Sequence, residues 1–88
     1  MVRRRRLEQL IEHVLQGRGS ISFQEFESLI EALGFDLARQ RGSHRIYIHP
    51  KLTRPFPVQP HGKDAKRYQI RQLRDMIRGY RLTLDPNA

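Results

Sequence analysis

The chain has 88 residues, enough for one small domain, and it lacks the cysteines that disulfides or thiolate metal sites need. It has no apolar run long enough to cross a bilayer and no secretory signal after its basic start, which favours a cytoplasmic protein. The net charge is +8. Residues 1–34 are neutral and residues 35–88 carry all of the excess. The second half therefore predicts a surface for a polyanion.

Two amphipathic helices are predicted in the neutral half. Apolar residues recur on one stripe from residue 3 to residue 16, and the glycine-rich stretch 17–20 ends this first helix. Ser22 and Glu25 have the spacing of a capping box, so a second helix is expected to begin there. Gly34 ends this second helix.

Three antiparallel strands are predicted after Gly34, where the apolar period changes from 3.6 residues to 2. They cover residues 35–40, 44–49 and 56–59. A turn at residues 41–43 joins the first two strands into a hairpin. The prolines of the third strand are typical of a sheet edge.

A last helix is predicted at residues 65–79, after a turn at residues 61–64. Four arginines recur on one of its faces, at i, i+4, i+7 and i+11. They are Arg67, Arg71, Arg74 and Arg78. We call this set the arginine ridge and expect it to bind RNA, because a merely solvated face usually mixes both signs of charge.

This order of elements predicts an α+β fold. Helix, three strands and helix make up the αβββα core of the double-stranded-RNA-binding-domain architecture, here with an additional N-terminal helix. We expect one domain over residues 1–88. It would consist of the extra helix at residues 3–16, the core at residues 22–82 and a frayed tail at residues 83–88.

His44 is the candidate catalytic residue. It follows the Gly42-Ser43 turn at the mouth of a strand, and Arg39, Arg41 and Arg45 lie close to it in sequence. Histidine can transfer protons near neutral pH, so a histidine within a basic patch indicates chemistry on phosphate. From these residues alone, the alternative is a histidine that only bonds the backbone of its turn.

Two blocks of sequence carry a family resemblance. In the first, a helix ending at residues 29–35 is followed by Arg-Gly-Ser-His-Arg-Ile-Tyr-Ile-His-Pro at residues 41–50, and the second block is residues 57–63. With these blocks the chain resembles, from residue 22 to residue 82, the HicA toxins, the mRNA-cleaving members of HicA–HicB toxin–antitoxin pairs. Many HicA toxins start the last helix with Pro-Gly-Thr-Leu, whereas residues 66–73 here are Lys-Arg-Tyr-Gln-Ile-Arg-Gln-Leu.

The resemblance implies a toxin that acts as an mRNA interferase, with His44 at the position of the family's catalytic histidine. It also implies a HicB-type antitoxin as a protein partner. An acidic antitoxin would suit the basic half of the chain. The extra N-terminal helix lies outside the shared core, and packing or partner contact is the role expected for it.

RNA contains its own nucleophile, the 2′-hydroxyl group, so its cleavage requires a base, an acid and cations but no metal or cofactor. The candidates for holding phosphate are Arg39, Arg41, Arg45 and Lys63. Tyr47 is a candidate for stacking on a base, since single-stranded RNA is often bound by aromatic residues. The alternative for Tyr47 is packing against its neighbours in the strand.

Three other hypotheses compete with this one. A zinc site of His44, His49 and His61 is disfavoured, because the first two histidines point to opposite faces of one strand and no cysteine completes the set. Docking on an anionic membrane is disfavoured because the basic helix lacks a bulky aromatic face. A non-catalytic RNA-binding module shares every charge argument and differs only in the role of His44.

Overall fold

The computed structural model describes residues 2–17 and 19–88. Its helices are α1 (Arg4–Gln16), α2 (Phe23–Ala32) and α3 (Arg67–Tyr80). Its strands are β1 (Asp36–Arg41), β2 (His44–Ile48), β3 (Phe56–Val58), β4 (Pro60–His61) and β5 (Asp64–Ala65). Arg18, in the predicted break after the first helix, lies outside the described residues. None of the described helices is long and apolar enough to span a membrane.

The predicted α+β fold is confirmed, with an αβββα core and an added N-terminal helix. The strand boundaries differ from the predicted ones by one residue, and the largest difference is at α3, which begins two residues later than expected. Asp64 and Ala65 instead form strand β5, which pairs with β4 in a small antiparallel hairpin. The Ala65 N–H also donates to the Ile21 carbonyl oxygen at 2.9 Å. This hairpin fixes the point from which α3 departs.

The start of α2 follows the capping prediction. Ser22 is its N-cap, and the serine Oγ accepts the Glu25 N–H at 3.2 Å. The Glu25 carboxylate also accepts from Arg6 of α1, at 2.6 Å from Arg6 Nε. This hydrogen bond lowers the pKa of Glu25 and joins the first two helices.

The main sheet has the order β1-β2-β3, and both pairings are antiparallel. Gly42 begins the β1–β2 turn with φ of 61°, a left-handed conformation that glycine adopts without strain. The pairing of β1 with β2 shifts register between Leu37 and Arg39, which makes Ala38 the extra residue of a β-bulge.

One face of the sheet, which we call the inner face, packs against the helices. It carries Tyr47, Phe56 and Val58, all buried. Phe26 of α2 meets Phe56 edge to face, with 6.4 Å between ring centroids. The opposite or outer face is exposed along β1 and at the start of β2. The side chains available to a ligand on the sheet are therefore those of the outer face.

The C-terminal tail is held at one point rather than frayed. The Asp85 N–H donates to the carbonyl oxygen of Ala32 at 2.7 Å, and Arg4 donates to the Asp85 carbonyl oxygen at 2.9 Å. Leu82 is buried just before it. The expectation of a frayed tail is wrong at Asp85, because this backbone reaches unpaired groups at the end of α2.

Candidate functional site

His44 is the first residue of β2, and its side chain lies on the exposed outer face of the sheet. The two-residue turn before it sets the register, so that His44 pairs with Arg41 across the hairpin. The strand is the central one of the sheet. An exposed imidazole thus stands on rigid backbone, which is what a positioned proton-transfer group requires.

The register set by the turn decides which side chains accompany His44. Counting back from the turn, Arg41 lies opposite His44 and Arg39 lies opposite Ile46. Because side chains alternate along a strand, both arginines share the outer face with the histidine. The β-bulge at Ala38 lies beyond them and changes only the positions before it, so that Leu37 lies opposite Tyr47.

These residues line an open cleft of about 380 Å³, formed by Arg39, Arg41, His44 and Ile46. Among the described residues, neither of the two arginines pairs with a carboxylate. Guanidinium groups without a protein partner are suited to bind phosphate through paired N–H groups. The cleft consequently combines a proton carrier with two available cations.

A second cleft meets His44 from the side of α3. It measures about 160 Å³. Its lining consists of His44, Pro57 and Val58 of β3, Gln59 just after that strand, and Tyr68, Gln69 and Gln72 of α3. His44 therefore borders both clefts, one toward β1 and the other toward the start of α3. A chain of nucleotides crossing the outer face could reach both.

Gln69 fixes the geometry of this second cleft. Its side chain is only 4% exposed, and its Nε2 donates to the Pro57 carbonyl oxygen at 3.3 Å. Its Oε1 accepts the Gln59 N–H, also at 3.3 Å. The side-chain amide thus pairs with the free edge of β3, as a further strand would. This bond pair holds the first turn of α3 beside the sheet.

The fold and this histidine together agree with the comparison to known families. A family model described as the HicA toxin of bacterial toxin–antitoxin systems matches residues 23–78, more than half of the chain. The chain belongs to the HicA toxin family. No curated protein and no solved structure gave a match.

Membership of the HicA family makes the chain the toxin of a toxin–antitoxin pair, so an antitoxin is its partner. The matched segment contains α2, all three strands of the main sheet and most of α3. The N-terminal helix α1 lies outside it. Leu7, Leu10 and Val14 of α1 are nevertheless buried, so in this HicA chain the added helix completes the core.

Tyr47 is not placed to stack on RNA, and that expectation is wrong. Its side chain is 1% exposed on the inner face of the sheet. The phenol oxygen lies 2.7 Å from Glu27 Oε2 and 3.3 Å from Glu31 Oε2. Burial, followed by the hydrogen bond to Glu27, raises the pKa of Tyr47. The alternative of packing within the strand is the correct one.

Arg45 also points away from the cleft, because it shares the inner face with Tyr47. Its Nη1 lies 3.2 Å from Glu27 Oε1, and its guanidinium carbon lies 5.3 Å from the centroid of the Phe23 ring. This arginine neutralises a carboxylate between sheet and helix. It is not available as a phosphate contact beside His44, so that prediction is wrong.

The arginine ridge is continuous along α3 but lies on a different face of the helix from Tyr68 and Gln72, which line the second cleft of His44. Arg78 donates from Nη2 to the Leu15 carbonyl oxygen at 3.0 Å, where α1 ends. Arg74 pairs with Asp75 at 3.1 Å. The C-terminal half of the ridge therefore makes contacts within the protein.

The other half of the ridge remains exposed at Arg67 and Arg71. Arg67 borders a third cleft with His61 and Tyr68, and neither exposed arginine lines the clefts of His44. Lys63 is exposed in the β4–β5 turn and lies in none of these clefts. RNA binding by Arg67, Arg71 and Lys63 stays a prediction.

The two other histidines of the disfavoured zinc site, His49 and His61, have separate surroundings. His49 Nε2 lies 3.0 Å from the Leu33 carbonyl oxygen, and its Nδ1 accepts the Lys51 N–H at 3.0 Å. His61 is exposed on β4. Within residues 2–17 and 19–88, no three histidine, aspartate or glutamate side chains gather as a metal-binding group.

Three features of the site were missed by sequence reasoning. The first is the pair of hydrogen bonds from the Gln69 side chain to the edge of β3, which we call the glutamine clasp. The sequence does contain a signal for it, since Gln69 precedes the buried Leu73 by one helical turn and so falls on the apolar stripe. The exposed Tyr68 lies within the segment that departs from the usual helix start of the family. The bulge at Ala38 has no comparable signal, because no glycine or proline marks it.

Proposed function

We propose that this chain is an endoribonuclease toxin that cleaves RNA with His44 as a proton-transfer group and Arg39 and Arg41 as phosphate-binding groups. The observation that carries the proposal is the outer-face cleft, in which an exposed imidazole lies among two arginines without a carboxylate partner. Family membership supports the toxin role.

The chemistry follows from the substrate. A base removes the proton of the 2′-hydroxyl, the 2′-oxygen forms a bond to phosphorus, and the bond from phosphorus to the 5′-oxygen breaks. The leaving 5′-oxygen takes up a proton, so the products are a 2′,3′-cyclic phosphate and a free 5′-hydroxyl. Arg39 and Arg41 stabilise the extra negative charge that develops on the phosphoryl oxygens.

His44 performs one of these two proton transfers. The residues lining its two clefts include no second imidazole and no carboxyl group. Water then exchanges the other proton, and turnover is expected to be slow. No step calls for a metal ion, because the nucleophile belongs to RNA.

The direct test compares His44→Ala with His61→Ala, a matched change at an exposed histidine outside the two clefts. General acid–base catalysis contributes roughly 10²–10⁴-fold in rate, so His44→Ala should lose cleavage of single-stranded RNA by that factor. The His61→Ala protein should cut at nearly the wild-type rate. Each variant is checked for folding by circular dichroism.

The same assay has two further arms. Excess EDTA should leave the wild-type rate unchanged, and DNA of the same sequence should be bound but not cut. A folded His44→Ala protein with full activity would refute the role of His44, and the chain would then be a passive RNA-binding module. Loss of activity in EDTA with recovery on added zinc or magnesium would refute the metal-free chemistry.

We further propose that the antitoxin is an acidic, HicB-type protein that covers the outer face at His44. The support is charge, since the excess of +8 lies entirely in residues 35–88 and the outer-face arginines make no ion pair among the described residues. Expression from the native operon should yield a stoichiometric acidic partner whose addition blocks cleavage. Isolation of the active wild-type chain alone, in good yield from unprotected cells, would contradict this.

A further inference from the structure

Tyr68 is a large aromatic residue that the core does not use. It is the second residue of α3 and 51% exposed, whereas Ile70 and Leu73 of the same helix are buried. Its ring lies in the small cleft beside His44 and also in the larger cleft that contains His61. An exposed ring at the boundary of two clefts is open to contact with a ligand, and its hydroxyl group keeps a polar end in solvent.

The backbone and neighbours hold this ring in place although its surface is open. Gln69, the next residue, is clasped to β3 and also donates from Nε2 to the Tyr68 hydroxyl oxygen at 3.4 Å. The Lys66 ammonium lies over the ring, 6.0 Å from its centroid. A ring fixed in this manner loses little conformational freedom when a ligand covers it.

Gln72 lies one helical turn after Tyr68 and lines the same cleft beside His44. Its amide makes no hydrogen bond among the described residues, in contrast to the amide of Gln69. A primary amide offers both a donor and an acceptor, which is the combination that recognises the edge of a nucleobase. The cleft therefore presents a planar apolar surface next to a free polar group.

We propose that Tyr68 and Gln72 form a nucleobase subsite, in which an unpaired base stacks on the tyrosine ring and bonds the glutamine amide through its edge. This inference rests on the proposed function and adds its substrate class. A base held there places its flanking phosphate toward His44. The substrate is single-stranded RNA, because a base within a duplex cannot enter the cleft without leaving its stack.

Binding is measured with the His44→Ala protein, which keeps the RNA intact. Fluorescence anisotropy of labelled single-stranded RNA 12-mers gives the Kd for this protein and for added Tyr68→Ala, Tyr68→Phe or Gln72→Ala. Tyr80→Ala is the matched control, since Tyr80 is 46% exposed at the far end of the same helix. Circular dichroism verifies that each variant is folded.

Stacking of a base on an aromatic residue is worth about 1–3 kcal/mol, so Tyr68→Ala should weaken binding by about 5- to 150-fold. Tyr68→Phe keeps the ring and should stay within about 2-fold of its parent, and so should Tyr80→Ala. Gln72→Ala should reduce the difference in affinity between 12-mers of different bases.

The failure of the subsite and the failure of the enzyme are distinguishable. Equal affinity of folded Tyr68→Ala and Tyr80→Ala proteins overturns the subsite, even if the wild-type protein cuts RNA. Loss of binding in Tyr68→Ala, with Tyr68→Phe intact, supports the subsite even if the wild-type protein never cuts. In an active enzyme, kcat/KM should follow the same order of variants.

Discussion

The arginines of β1 and those of α3 look equivalent in sequence but have different surroundings. Arg39 and Arg41 lie on the open face of the sheet beside His44, and no carboxylate among the described residues neutralises them. Arg74 and Arg78 bond to Asp75 and to the end of α1. A regular row of arginines along a helix is thus weaker evidence for ligand binding than two arginines that form no ion pair with the described residues.

Other arginines also show that sequence position alone does not identify a ligand-binding residue. Arg45 neighbours His44 in sequence, yet it pairs with Glu27 on the inner face. Arg67 and Arg71 of the ridge are exposed, but neither lines a cleft of His44. Proximity along the chain and periodicity along a helix each identify a face, and only the fold shows what lies on it.

The largest effect is expected from reversing the charge of the outer face. Replacing Arg39 and Arg41 together by Glu should lower RNA cleavage at least about 100-fold, because hydrogen bonds to charged groups contribute roughly 1.5–3 kcal/mol each. The matched double change of Arg67 and Arg71 to Glu should cost cleavage far less. Initial cleavage rates at substrate concentrations below KM measure both.

An equal loss of cleavage rate in the two double variants would contradict this expectation. Such a result would mean that net charge, rather than position, controls activity. Thermal unfolding of each variant provides the control, since none of these four side chains is buried and their melting temperatures should lie close together.

A smaller effect is expected in the salt dependence of binding. Each phosphate contact to single-stranded RNA contributes roughly 0.7 to the slope of log Kd against log salt concentration. In the His44→Ala protein, a further Arg41→Ala should lower this slope by about that amount. Arg71→Ala should lower this slope less. An equal reduction would mean that the arginine ridge contacts RNA phosphates as much as β1 does.

The smallest effect concerns stability. Arg78→Ala removes the hydrogen bond to the Leu15 carbonyl oxygen at the end of α1. It also removes a cation that the negative end of the α1 dipole stabilises. The free energy of unfolding should fall by about 0.5–1 kcal/mol, with RNA affinity nearly unchanged. Urea denaturation measures the first quantity. A large loss of affinity without loss of stability would show that Arg78 is an RNA contact after all.

The sequence predicted the elements well because their signals are local. Ser22 caps α2 as its spacing requires, and the glycine at residue 42 turns the β1–β2 hairpin. The same turn places His44 at the start of β2, as its position in the sequence predicts. The chain order of these elements was sufficient for the α+β core, because few architectures accommodate helix, three strands and helix.

The missed features depend on contacts between distant residues. Strand alternation separates His44 from Tyr47 but does not say which of the two faces the helices cover. The contacts of α2 identify the covered face, because the Glu27 and Glu31 carboxylates of that helix accept the Tyr47 hydroxyl group. The clasp of Gln69 on β3 likewise arises only when α3 meets the sheet.

The central claim is that RNA binds the outer face at His44 rather than the C-terminal half of the arginine ridge, at Arg74 and Arg78. Backbone amide chemical shifts of the ¹⁵N-labelled His44→Ala protein, titrated with single-stranded RNA, test it residue by residue. We expect the largest changes at residues 39–46 and 68–72, with little change at residues 74–78. Changes concentrated at residues 74–78, with residues 39–46 unaffected, would contradict it.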